Sequence, residues 1–188
     1  MVSKDLSAYV LAGGSSRRMG ADKLFLKIGS QSLLERTIIT CETCFKQVKL
    51  VARQSGKFSS LGITVVLDSP RAHGPMAGVI AALEDCNSDS CFVMAADLCD
   101  LSAEIIASLI SQYKGQQYLG LIEADGLQPL CGIYHKSSLE VFYRCAQNGE
   151  YCLVEALKAL NHSGIALPVG QWRNINYQED LARDGLNG

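Results

Sequence analysis

Residues 11 to 23 read Leu-Ala-Gly-Gly-Ser-Ser-Arg-Arg-Met-Gly-Ala-Asp-Lys. The adjacent glycines Gly13 and Gly14 let backbone N–H groups turn toward an anion with no Cβ in the way. Arg17 and Arg18 offer forked donors that match phosphate oxygens, and Lys23 offers a compact charge. The segment reads as a triphosphate cradle or, without a ligand, as a basic glycine-rich surface turn. It is neither a P-loop, since G-x-x-x-x-G-K-[ST] is absent, nor the dinucleotide fingerprint G-x-G-x-x-G. A second segment runs from Asp68-Ser69-Pro70 to Gly74-Pro75-Met76-Ala77-Gly78. Its small residues also allow a helix to lie close on a sheet. A third, Ala95-Ala96-Asp97-Leu98-Cys99-Asp100, puts a carboxylate just past an apolar run. That is a fitting place for Mg²⁺, which takes oxygen ligands and keeps waters and phosphates as the others. Asp100 reads as a cap or solvated charge rather than a second ligand.

The hydrophobic pattern predicts what must hold these segments. Short apolar runs at 6–12, 48–52, 63–67 and 91–95 read as buried strands, each ending at a turn signal. Ser32 with Glu35 forms a capping box that opens a helix carrying Leu33, Leu34, Ile38, Cys41 and Phe45. Pro75 suits the first turn of a small-residue helix through Leu83, and Ser102 can cap a helix through Tyr113. Strands follow at 118–122 and 130–134, with Asp125-Gly126 between them. Helices at 137–146 and 152–160 come next, then a short strand at 166–167. Asn176 with Glu179 can cap a terminal helix. Alternating strands and helices imply βαβ units, and so a single three-layer α/β/α domain, 1–188, with a mostly parallel sheet. In such sheets ligands bind beyond the carboxyl ends of the strands. All three candidate segments follow such ends.

Composition excludes several classes. Lys plus Arg is 17 against 19 Asp plus Glu, a formal charge of −2, so the chain is a poor coat for nucleic acid or an anionic membrane. No run is apolar and long enough for a transmembrane span or a signal peptide, which points to the cytoplasm. In that compartment the eight cysteines read as reduced thiols, and Cys86, Cys91, Cys99, Cys131, Cys145 and Cys152, mostly among apolar neighbours, as small hydrophobes. The lone C-x-x-C at Cys41 and Cys44 lies inside a helical pattern and lacks a second pair. His73, His135 and His162 form no H-E-x-x-H, and there is no G-x-S-x-G.

The 11–23 stretch closely resembles the L-A-G-G-x-S-x-R-M-G-x-D-K signature of the molybdenum cofactor guanylyltransferases (MobA), within the Rossmann-like nucleotidyltransferases. The resemblance implies that Leu11, Ala12, Gly13, Gly14, Arg18 and Lys23 hold the triphosphate of GTP, with Arg18, Lys23 and Asp97 catalytic. The second glycine of the pair leans toward the guanylyl branch. Asp68 and Gly78 resemble the family's guanosine-holding D-x…G-P-L-A-G element. A carboxylate there can accept from guanine N1–H and the exocyclic amine, a donor pair that adenine and cytosine lack, or it can hold the ribose. Asp97 matches the metal ligand of the family's C-D-T-P-x-L, although Leu98-Cys99 replaces Thr-Pro. Gln128-Pro129-Leu130 and Tyr134 resemble its H/Q-P-L…Y strand. Asn174 and Asn176, followed by Glu179-Asp180-Leu181, resemble its N-x-N-T-P-E-D-L ending, with the acceptor or metal-bound phosphates as the contact. For Asn176 a helix cap reads as well. Family members often carry an asparagine at the end of the second strand, where this chain has Leu50-Val51-Ala52-Arg53.

The implied reaction joins GMP from GTP to the terminal phosphate of molybdopterin or Mo-molybdopterin, with Mg²⁺ as cofactor. Molybdenum cofactor biosynthesis proteins and apo-molybdoenzymes are the implied partners. Rival readings use CTP, a sugar phosphate or a methylerythritol phosphate acceptor, or bind GTP without turnover.

Overall fold

The computed structural model describes residues 6–13, 23–98, 101–123 and 126–166. Nine strands and five α-helices alternate over this span: β1 (Ser7–Leu11), β2 (Lys27–Ile28), β3 (Gln31–Ser32), α1 (Leu33–Cys44), β4 (Val48–Ala52), β5 (Val65–Leu67), α2 (Pro75–Asp85), β6 (Ser90–Ala95), α3 (Ala103–Gln112), β7 (Tyr118–Glu123), β8 (Gly126–His135), α4 (Leu139–Gln147), α5 (Leu153–Leu157) and β9 (His162–Ala166). Seven strands form one sheet in the order β5-β4-β1-β6-β8-β7-β9. Only β8 runs against its neighbours; the pairs β1–β4, β1–β6, β4–β5 and β7–β9 are all parallel.

Helices cover both faces, as a parallel sheet requires. Ala8, Val10, Leu50 and Ala52 face one core with Leu34, Ile38 and Cys41 of α1 and Ile106 and Leu109 of α3. Tyr9, Leu11 and Val51 face the other, with Met76, Val79, Ile80 and Leu83 of α2 and Val141 and Phe142 of α4. The three-layer α/β/α arrangement predicted from the alternation is the one observed.

Local chemistry explains several boundaries. Ser32 caps α1 through Oγ, which accepts from the Glu35 N–H at 3.2 Å, while Glu35 Oε2 accepts from the Ser32 N–H at 2.7 Å. This is the predicted capping box. Pro75 opens α2 after Gly74, whose φ of 61° is open to glycine at little cost. Ser102 does precede α3, but its side chain makes no capping bond to the helix backbone; Ile105 N–H donates to the Ser102 carbonyl instead.

Other predicted boundaries move. The 63–67 strand shortens to β5. The 137–146 helix begins as a 3-10 turn, Lys136–Ser138, because His135 Nδ1 and carbonyl take the Ser137 N–H and Ser138 hydroxyl. The 152–160 helix shortens to α5. The last strand lies at 162–166, recruited by parallel pairing with β7, and the 118–122 and 130–134 strands lengthen into β7 and β8. The β2–β3 ladder and the 3-10 turn Gly56–Leu61 were not expected. Cys86, Cys91 and Cys131 are buried as expected, and Cys41 and Cys44 are buried too, whereas Cys145 is half-buried and Cys152 exposed; Cys99 lies outside the described residues. Within the C-x-x-C, Cys41 Sγ lies 3.9 Å from Met94 Sδ and Cys44 Sγ 3.5 Å from the Ala103 carbonyl, so both thiols pack α1 onto its neighbours.

Strand β8 carries a bulge. Its register with β7 jumps from Gly120↔Gly132 to Leu121↔Gln128. Pro129, which has no N–H to give a ladder, sits in the jump. The Tyr118 hydroxyl donates to the Gln128 carbonyl, and the Tyr134 hydroxyl donates to the Pro129 carbonyl at 2.6 Å. Both rings are fully buried and lie with centroids 4.6 Å apart. Gly132 leaves room for this arrangement: a Cβ there would stand 2.6 Å from the Leu119 carbonyl and 2.7 Å from the Tyr118 ring. Gly132→Ala should therefore destabilise the fold by about 1–3 kcal/mol, read as a lower urea midpoint at unchanged slope. An unmoved midpoint would contradict this packing.

Candidate active site

In the sheet, the chain moves outward from β1 to β4 and β5, then returns to β6 on the other side of β1. The strand order therefore reverses between β1 and β6, the switch point at which open α/β sheets hold ligands. The loops that follow these two strands carry Gly13 and Asp97.

Backbone ladders continue past the strand ends and join the candidate segments. Ala12 N–H donates to the Val51 carbonyl at 2.8 Å, and Ala96 N–H donates to the Leu11 carbonyl at 3.1 Å. Asp68 N–H donates to the Ala52 carbonyl at 3.0 Å, and Ser69 N–H donates to the Ala77 carbonyl at 3.1 Å. The starts of three loops and the first turn of α2 thus share one carboxyl edge. Leu11 and Ala12 are buried, whereas Gly13 is exposed and a Cβ on it would meet nothing within 4 Å.

Gly78 lies against both Leu11 and Asp68. A Cβ at this position would collide with the Leu11 side chain and stand 3.6 Å from Asp68 Oδ1. The packing role expected of Gly78 and its place beside Asp68 are thus one arrangement. Burial pushes the half-buried Asp68 carboxyl above the usual aspartate range, against the opposing pull of the Arg53 guanidinium. A carboxyl raised by burial beside an open edge is poised to pay less desolvation when a donor-bearing ligand covers it.

Asp97 is half-buried in the turn after β6. The turn closes with Leu98 N–H donating to the Ala95 carbonyl at 3.2 Å, and the Leu98 side chain sinks into the core. Leu98 thus anchors the turn by burial at the position where the family pattern has threonine. Thr37 of α1 adds a brace that sequence reading missed. Its buried Oγ1 lies 3.1 Å from the Leu33 carbonyl and 3.1 Å from the Ala96 carbonyl, one residue before Asp97. The signal was a polar residue on the same buried face of α1 as Leu33, Leu34, Ile38 and Cys41.

Leu11, Ala12, Gly13, Asp68, Gly78 and Asp97 are therefore gathered along one edge. Lys23 opens a 3-10 turn, Lys23–Phe25, whose Leu24 is buried. Gly14, Arg17, Arg18, Asp100, Asn174 and Asn176 lie outside the described residues, as does most of the 11–23 loop.

Residues 8–162 match the family model of the MobA-like NTP transferase domain. The chain belongs to this family. A MobA-like relative from Aquifex aeolicus, named "probable molybdenum cofactor guanylyltransferase", is 31% identical over 97% of this chain and 91% of its own length. A protein of the same name from Thermococcus gammatolerans is 34% identical over 93% of this chain and 96% of its own. The crystal structure of molybdopterin-guanine dinucleotide biosynthesis protein A from Archaeoglobus fulgidus superposes with a TM-score of 0.80 at 24% identity, covering 95% of this chain and 96% of that one. That likeness speaks for the fold. Family and relatives together make this MobA-like chain a nucleotidyltransferase of the molybdenum cofactor guanylyltransferase type. Among the described residues no helix is long and apolar enough to cross a membrane.

Proposed function

We propose that the chain, acting over 1–188 as one domain in the cytoplasm, transfers GMP from GTP to the terminal phosphate of molybdopterin or Mo-molybdopterin, releasing pyrophosphate. The observation that carries the reading is the meeting of the 11–13 segment, Asp68 with Gly78, and Asp97 at the switch point of the sheet. The triphosphate lies along residues 11–23, held by backbone N–H groups with Arg18 and Lys23. Asp68 orients the guanine, and Gly78 keeps the approach to it clear. Asn174 and Asn176 meet the acceptor. Molybdenum cofactor biosynthesis proteins and apo-molybdoenzymes hand over the acceptor and receive the product.

Asp97 fits Mg²⁺: a half-buried carboxylate just past a strand is a hard oxygen donor, and this ion takes few protein ligands when phosphates complete its shell. Bound there, the ion would neutralise charge on the phosphates. A terminal phosphate oxygen of the acceptor attacks the α-phosphorus in line, and the bond to the pyrophosphate oxygen breaks. The attacking phosphate is already ionised at neutral pH, so the chain supplies positioning and charge rather than a general base.

The raised Asp68 pKa gives a pH dependence with a definite sign. The folded chain holds this proton more tightly than the unfolded chain, so the contribution to stability is complete below the usual aspartate pKa. It is lost as pH rises through the raised value. Guanine needs the ionised form, so GTP affinity should climb with pH over that same window, with proton release on binding. Calorimetry in buffers of different ionisation enthalpy measures both. The dependence should vanish in Asp68→Asn; a wild-type affinity flat through the window would remove Asp68 from the base.

The deciding experiment follows pyrophosphate release with molybdopterin and Mg²⁺, comparing GTP, CTP, ATP and UTP. Release with GTP alone supports the reading. Release with CTP keeps the chemistry and overturns the base. GTP binding with no release from any nucleotide moves the function to another acceptor or to nucleotide binding without turnover.

A further inference from the structure

Tyr118 of β7 is fully buried on the α2 side of the sheet, and its ring lies along the strands. A Cβ on Gly120, two residues on, would collide with the phenol, and a Cβ on Gly132 would stand 2.7 Å from the ring. Gly120 and Gly132 are direct neighbours across β7 and β8. Side by side they open a slot through which the ring extends, and its hydroxyl donates to the Gln128 carbonyl. The Tyr134 hydroxyl donates to the next carbonyl, that of Pro129, at 2.6 Å. Burial pushes both phenols well above the usual tyrosine range, so both stay protonated donors at neutral pH. The carbonyls held in this way belong to the bulge of β8, where Pro129 has no N–H to give. Strand β8 runs antiparallel to β6 with Cys131 beside Met94, so residues 130 to 128 come level with the end of β6 and the Asp97 turn. Exposure changes at the same place: Cys131 to Tyr134 are buried, except that Leu127 to Leu130 before them are half-buried. The bulge is therefore a surface of the carboxyl edge, one strand from Asp97 and on the side of β6 away from β1.

We propose that Tyr118 and Tyr134 are positioning residues for the acceptor, their hydroxyls fixing the Gln128–Leu130 bulge as the floor on which the acceptor lies beside Asp97. The inference rests on the guanylyl-transfer reading above and adds to it what sets the acceptor side. In that reading the triphosphate follows β1, one neighbour of β6 in the sheet. A phosphate that attacks the α-phosphorus in line, opposite the departing pyrophosphate, then comes over the other neighbour, β8. A bulge interrupts the ladder that would otherwise set its strand, and the two hydroxyls supply the missing bonds. Without one of them a carbonyl loses its donor, and the bulge shifts to recover another. A shift of about 1 Å under a bound reactant costs up to about a hundred-fold in reaction.

The test varies molybdopterin at saturating GTP and Mg²⁺ and follows pyrophosphate release. GTP affinity is measured separately, by competition against a fluorescent GTP analogue. Tyr118→Phe and Tyr134→Phe keep the rings and remove only the hydroxyls. Each should raise the KM for molybdopterin about ten-fold, more than it lowers kcat, and leave GTP affinity unchanged. Tyr9→Phe is the control: it also removes one hydroxyl bond, 2.7 Å to Asp85, at the far end of α2. All three variants should lower the urea midpoint, but Tyr9→Phe should leave the KM where it is. The inference is overturned if either Tyr118→Phe or Tyr134→Phe keeps the wild-type KM. It is overturned as well if Tyr9→Phe raises the KM as much, which makes the effect one of general stability, or if GTP affinity falls in step with the KM, which gives the bulge to the nucleotide. Those results leave guanylyl transfer standing. A wild type that releases no pyrophosphate with molybdopterin and GTP removes the guanylyl-transfer reading, and the acceptor floor with it.

Discussion

Asp97→Ala should lower the rate of pyrophosphate release about a hundred- to a thousand-fold while the fold and nucleotide binding persist. The magnitude is that of deleting one group whose charge is matched to the transferring phosphates. Survival of the fold is expected because the turn has anchors besides Asp97. Leu98 is buried, Leu98 N–H closes on the Ala95 carbonyl, and Thr37 holds the Ala96 carbonyl from α1. Lys23→Ala should cost turnover on a similar scale, because the cradle then lacks its compact positive charge. Rapid-quench measurement of a single turnover with GTP separates chemistry from product release in each variant. A near-normal single-turnover rate in either one would place the transferring phosphate elsewhere.

Gly78→Val should weaken GTP about ten- to a hundred-fold, with a smaller loss of stability. The added carbons must displace the Leu11 side chain and crowd Asp68 Oδ1. Overpacking of this kind costs about 1–3 kcal/mol, and each 1.4 kcal/mol that falls on the complex is a factor of about ten in affinity. Gly78→Ala should do less, since the atom it meets is the far end of a flexible leucine rather than backbone. A GTP titration and a urea melt on both variants report the two effects separately. Unchanged affinity in Gly78→Val would move the guanosine away from α2.

Opposite this edge, Asp85 shows a carboxylate used for structure. Burial pushes it upward, but hydrogen bonds from Lys49 and Tyr9, both 2.7 Å, outweigh burial and hold it below the usual range. Asp68 remains raised because burial outweighs the opposing pull of Arg53. The two aspartates differ in what surrounds them, and neither environment is visible in the sequence.

The sequence by itself determined the layered fold and the segments that matter. The apolar runs ending at Gly13, Asp68 and Asp97 are local signals, as are the Ser32–Glu35 capping box and Pro75 at the head of α2; each acts within a few residues and survives assembly. Side-chain types at fixed spacing also identified the family, because phosphate chemistry confines glycines and cations to one short loop. Tertiary structure alone decided which loops meet. The reversal of strand order at β1 depends on where β6 inserts, a long-range pairing that no local pattern encodes. The same holds for Thr37, whose partner at Ala96 is 59 residues away, and for Asp68, whose N–H reaches the Ala52 carbonyl only once β4 and β5 are paired. The bulge in β8 is likewise a product of assembly, since Tyr118 reaches the Gln128 carbonyl only once β7 and β8 are paired. Local hydrogen bonding and periodicity set elements; closure of distant strands, whose contacts form only on assembly, set the site.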